Sequence, residues 1–112
     1  MRVFHAASAR HGVAAAASGH HAGEFETSIL LRLAPHAVRR DRFAPGRLDV
    51  PEDPGRIFYP DLRVHAPDGT VGDPRGADAA RADAYLDAWV AELLAAYRRA
   101  ASRKNTKGRK NE

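Results

Sequence analysis

The sequence predicts an α/β chain in which amphipathic helices are joined to short apolar segments of strand length. Three observations carry this expectation. From about Ala77 to Arg99, Ala82, Tyr85, Leu86, Trp89, Val90, Leu93, Ala96 and Tyr97 mark one face of a long helix. Phe25, Ile29 and Leu33 recur every four residues with Leu30 beside them, a stripe on a second helix that Pro35 stops near Ala34. Met1–Phe4 and Ile57–Tyr59 are short runs that read as strands, the latter closed by Pro60.

The segments between these follow the same logic. Ala6–Ser18 is small and alanine-rich, interrupted by Gly12, and reads as a short helix. Gly19–Ser28 is a loop entering a helix. His36–Arg56 holds Pro45, Pro51 and Pro54 among many charges, so it reads as a surface connection with little regular structure, long for a compact domain. Asp68–Pro74 packs two glycines and a proline into a turn. Trp89 and the tyrosines of the last helix are expected in the core, where such stripes usually lie.

A chain of 112 residues builds one small domain. The formal net charge is +4, but the excess sits at one end: residues 98–112 hold seven basic side chains against the single acid Glu112. Every Lys and every Asn of the chain also falls there. Residues 1–99 are therefore read as a folded domain and 100–112 as an appended, disordered basic tail. Such a tail can touch phosphate backbones, yet no aromatic residue is interleaved for stacking, so nucleic-acid binding is not expected.

The absence of Cys excludes disulfides, thiolate metal sites and cysteine nucleophiles, leaving His, Asp and Glu for any metal. No apolar run approaches the roughly 20 residues of a membrane helix, so no membrane association is expected. The N-terminus has a basic start and small residues, but Arg10, His11 and Gly12 break the apolar region a secretory signal needs. A cytoplasmic protein is the expectation.

The stretch that carries chemistry is His20-His21-Ala22-Gly23-Glu24-Phe25-Glu26-Thr27-Ser28, two imidazoles and two carboxylates at the mouth of a helix. If that helix begins near Gly23, His21, Glu24 and Ser28 share a face and Glu26 points away. A metal or catalytic role competes with a plain one, since acids in a first helical turn also meet the helix dipole favourably. Asp73 reads as a capping or turn residue. His5, His11, His36 and His65 stand outside any cluster and read as structural or exposed.

His21 to Leu31, HAGEFETSILL, resembles the helix-opening motif of the creatininase family, and Gly69 to Ala77, GTVGDPRGA, followed by a long helix, resembles that family's C-terminal glycine turn. The resemblance covers about Val3 to Arg99. It implies the C-terminal part of a three-layer α/β sandwich with a long C-terminal helix, two divalent metals (Zn, Mn or Fe) at the carboxyl ends of strands, and hydrolysis of an amide bond. It further implies His21 as the catalytic proton donor and acceptor, and Glu24 and Glu26 as candidate metal ligands. Geometry favours Glu24 for the site and the family pattern favours Glu26.

The family's other ligands come from a Glu-x-His pair, a following Asp and an Asn-Gly-His segment in its N-terminal half. This sequence contains no Glu-x-His and no Asn-Gly-His. The expectation is thus an incomplete metal-dependent amidohydrolase, inactive alone and without metal of its own, as a gene fragment, a split enzyme or a degenerate domain. Its partners would be a small-molecule amide or peptide substrate and an N-terminal-half polypeptide or further copies. Exposed sheet edge and apolar surface would favour self-association. The alternative is a non-enzymatic interaction or scaffold domain with a basic tail.

Overall fold

A computed structural model describes residues 2–49 and 54–108. The regular structure among them is helical: α1 (Arg2–Arg10), α2 (Ala15–Ser18), α3 (Glu24–Leu33), α4 (Leu62–His65) and α5 (Ala82–Gly108). Single 3-10 turns stand at Pro35–Ala37, Arg40–Arg42, Pro54–Phe58, Pro74–Gly76 and Ala79–Arg81. No described helix is long and apolar enough to cross a membrane.

The expected α/β three-layer sandwich is therefore not what these residues form. Among the described residues there is no strand, and the β-type pairing is one isolated antiparallel bridge between His21 and Val71. Of the first expected strand, Met1 lies outside the described residues and Arg2–Phe4 open α1, because Phe4 and Ala7, three apart, bury one helical face. Ile57 lies in the turn Pro54–Phe58, where it is fully buried against Ala66 and Val71 while Phe58 and Tyr59 are exposed. A run of three or four apolar residues fits either period, and tertiary contacts decide. The described residues therefore present no open sheet edge to drive association.

The main core lies where α1 and α3 pack on the start of α5. Phe4 stacks on Phe25 with ring centroids 4.2 Å apart, Phe25 meets Tyr85 edge-on at 6.3 Å, and Trp89 caps Phe4 at 5.2 Å. Pairs of this kind contribute roughly 0.5–1.5 kcal/mol each beyond their buried area. Only the first turns of α5 share in it. Ala82 and Tyr85 are fully buried, but Trp89 is 44 % exposed, Leu93 56 % and Tyr97 73 %, so the aromatic face expected in the core leaves it halfway along the helix.

A second centre forms around the glycine turn. His20 N–H and His21 N–H both donate to Val71 O, at 2.7 and 3.2 Å, and Val71 N–H returns to His21 O at 2.8 Å. Gly46 N–H donates to Gly72 O and Asp73 N–H to Ala17 O, both at 2.9 Å. These crossings leave no room for side chains: a Cβ on Gly19 would lie 2.2 Å from Val71 O, and one on Gly72 2.7 Å from Gly23 Cα. Both residues also have positive φ, 79° and 146°, which favours glycine.

The connection from His36 onward has the irregular character expected, relieved by the 3-10 turns Pro35–Ala37 and Arg40–Arg42; Pro51 lies outside the described residues. Residues 100–108, read as the start of a basic tail, continue α5, and 109–112 lie outside the described residues.

Candidate functional site

His21 lies just ahead of α3, in the bridge to Val71. Its backbone is fixed on both its N–H and its carbonyl while its side chain is exposed, the ring lying edge-on to Phe58 at 6.4 Å. An imidazole held in this way meets solvent from a defined position. His20, its neighbour, turns the other way and packs against His5 with ring centroids 5.1 Å apart. The Nδ1 of His20 is buried without a hydrogen-bond partner, and burial, followed by the nearby His5, holds its pKa below the ordinary 6.5. His5 itself makes a 3.0 Å hydrogen bond between Nε2 and Gly19 O.

α3 opens at Glu24 with Gly23 as N-cap, so His21 stands before the helix and does not share the face of Glu24 and Ser28. That face turns inward. Glu24 is 1 % exposed, and its carboxylate accepts from Ser28 Oγ at 2.9 Å, Arg81 Nε at 2.9 Å and Tyr85 Oη at 2.6 Å. Ser28 Oγ in turn accepts Asp78 N–H at 3.0 Å. A buried carboxylate is tolerable only when paired and hydrogen-bonded, and here one cation and two hydroxyls satisfy it. The same burial, reinforced by the bond to Glu24, pushes the Tyr85 phenol up to about 12.

Glu26, in the same first turn but on the other side of α3, reaches back to accept the N–H of Ala22. It thereby satisfies a donor ahead of the helix and steadies Ala22, whose φ of 52° is unusual for a residue with a side chain. Its carboxylate is one peptide from His21. Glu26 also borders an open apolar groove of about 540 Å3 lined by Phe4, Phe25, Ile29, Leu30 and Trp89. The structure thus ties Glu26 to the backbone N–H that follows His21 and draws Glu24 into the interior.

Sequence reasoning missed the partners of Glu24. The four-residue spacing to Ser28 was visible, but Arg81 and Tyr85 lie 57 and 61 residues away and nothing local announces them. Asp73 caps the turn Pro74–Gly76 by accepting Arg75 N–H at 3.0 Å, as its position suggested, and the Arg75 guanidinium holds its carboxyl below the usual range. His65 is structural, bonding Tyr59 O at 2.9 Å and Arg47 at 3.3 Å.

The described residues do not fit a resident catalytic metal. Both oxygens of Glu24 are taken by protein donors, and among the described residues no three His, Asp or Glu side chains converge. A catalytic zinc ordinarily needs three protein ligands.

Among known families, the model of the Creatininase family, described as creatinine amidohydrolase, matches residues 1–97. No curated protein and no solved structure matches the chain.

Proposed function

Since the chain belongs to the creatininase family, we propose that it supplies one wall of an amidohydrolase site, with His21 as proton carrier and a companion polypeptide completing the site. The bond cleaved is the carbon–nitrogen bond of a small-molecule amide or a peptide. Hydrolysis joins the oxygen of water to the carbonyl carbon and leaves a hydrogen on the departing nitrogen. His21 is suited to carry that hydrogen, because its ring is exposed and its backbone is held on both sides by Val71. Glu26, one peptide away, is the carboxylate this chain offers to the same site.

Family members are generally metal-dependent. Any divalent Zn, Mn or Fe is assigned chiefly to groups of the companion, because the described residues of this chain offer no set of three donors. Glu24 is assigned to holding α3 on α5. The family match over residues 1–97 carries this reading, supported by the exposed imidazole on an immobilised backbone.

The test is reconstitution. The full chain mixed with a candidate companion should hydrolyse an amide substrate, and His21→Ala should lower that rate by about 100-fold or more, the usual contribution of a positioned acid–base group. Full activity in His21→Ala would remove the proton-carrier role. Stoichiometric metal in the purified chain alone, by elemental analysis, would contradict the division of ligands. The diversion of Glu24 into the interior also favours a second reading, a binding domain without catalysis. In that case a companion would bind with no hydrolysis of any amide.

A further inference from the structure

Most acids of the folded body carry a cation of their own. Glu24 is held by Arg81, Asp61 by Arg63 and Asp73 by Arg75, each within 3.0 Å. Glu26 is different. Its Oε2 accepts the N–H of Ala22, and among the described residues no Arg, Lys or His pairs with its carboxylate, which leaves Oε1 without a protein partner. Asp68, Asp78 and Asp87 also lack a cation, but they are exposed, whereas Glu26 is half-buried. A carboxylate partly withdrawn from water attracts a cation more strongly than an exposed one does.

Glu26 lines the open groove of about 540 Å3 between α3 and α5. The stacked rings of Phe4 and Phe25 form its buried floor, and the half-exposed Leu30 and Trp89 stand at its rim. Among the described residues that line it, Glu26 is the one charged group and the others are apolar. The volume falls within the roughly 300–1,000 Å3 of small-molecule sites, which combine apolar and aromatic walls with a few polar groups. With no base to receive it, an anion gains nothing here. Aromatic walls add attraction for a cation, because ring faces carry negative charge. We infer that this groove binds a small organic cation, an apolar body of about the size of a phenyl ring bearing one ammonium group, with the ammonium on Glu26 and the body against Phe4, Phe25 and Trp89. The inference shares Glu26 with the amidohydrolase reading but does not depend on it, since binding is measured on the chain alone and requires no hydrolysis.

Titration of the full chain with three probes of one shape tests it. These are 2-phenylethylammonium, the neutral 2-phenylethanol and the anionic 3-phenylpropionate, followed through the fluorescence of Trp89, the single tryptophan of the chain. The ammonium should bind saturably and about tenfold more tightly than the alcohol, as expected of a hydrogen bond to a charged group, and the carboxylate more weakly than either. Glu26→Gln retains an oxygen for the Ala22 N–H, so the fold is kept, and it should bring the ammonium down to the affinity of the alcohol. Leu30→Lys, at an exposed position one turn beyond Glu26, supplies a cation from within and should remove the preference for the ammonium. The comparison of the three probes on the unaltered chain stands even if a variant fails to fold. Binding of 3-phenylpropionate as tight as that of the ammonium, a preference unchanged in Glu26→Gln, or no saturable response up to about 10 mM of the ammonium would each overturn the inference. So would a Trp89 that responds only to a companion polypeptide and to none of the three probes.

Discussion

Tyr85 donates its phenolic hydrogen to Glu24 Oε2 across 2.6 Å, tying the first turns of α5 and α3 together through a carboxylate almost sealed from water. Arg81 Nε, one turn earlier on the same side, holds the other oxygen at 2.9 Å. Removing one side of a buried pair leaves the other charge uncompensated, which costs about 3–5 kcal/mol. Glu24→Ala should lose stability in that range by chemical denaturation, and Tyr85→Phe about 1–3 kcal/mol, the usual cost of a hydrogen bond to a charged group. A loss under about 1 kcal/mol for Glu24→Ala would show that α3 is held chiefly by Phe25 and its apolar neighbours.

The raised phenol gives stability a signature in alkali. The unfolded tyrosine ionises near 10, while in the folded state Tyr85 holds its proton to about 12. Its contribution is fully present below pH 10 and is lost as pH rises through the folded value. Denaturation midpoints should fall across this window, and Tyr85→Phe should remove this component of the fall.

On the acid side His20 acts with the opposite sign. Its folded pKa lies below 6.5, so its contribution is complete above that value and is lost as pH falls through the lower folded one. His20→Gln should flatten the decline in midpoint below pH 6.5; an unchanged decline would place the acid sensitivity elsewhere.

Gly72→Ala asks a φ of 146° of a residue with a Cβ and sets that carbon 2.7 Å from the backbone of Gly23. Strain of about 1–3 kcal/mol plus displacement of a packed backbone should lower the thermal midpoint by more than any surface change, by at least 5 °C. Gly69→Ala is the control: it has positive φ as well, but open space around the added carbon.

His21→Ala should leave stability within about 0.5 kcal/mol of the parent, because the ring is exposed and its backbone bonds survive the change. That separation is what allows the variant to report on chemistry. A marked destabilisation would instead assign the imidazole to the packing against Phe58.

The helices were legible where their apolar period was long enough to read. Phe25, Ile29 and Leu33 mark α3, and Ala82 and Tyr85 the buried opening of α5. Short segments were not legible: Val3 and Phe4 join a helix because Phe25 is there to be stacked upon, and Ile57 enters a turn because Ala66 and Val71 enclose it. At the candidate site the helix-opening cluster was visible, along with the pairing of Glu24 and Ser28. The direction of each carboxylate was not, because Arg81 and Tyr85 select Glu24 from the far end of the chain and Ala22 retains Glu26 locally.

The bridge between His21 and Val71 spans fifty residues of chain, so the imidazole acquires its position only when that loop has closed. A synthetic peptide of residues 15–34 would contain the whole histidine–glutamate motif and still leave His21 unanchored. Presentation of that ring is a property of the assembled fold, and partial unfolding of the Gly69–Gly72 segment would switch it off while α1, α3 and α5 stayed packed.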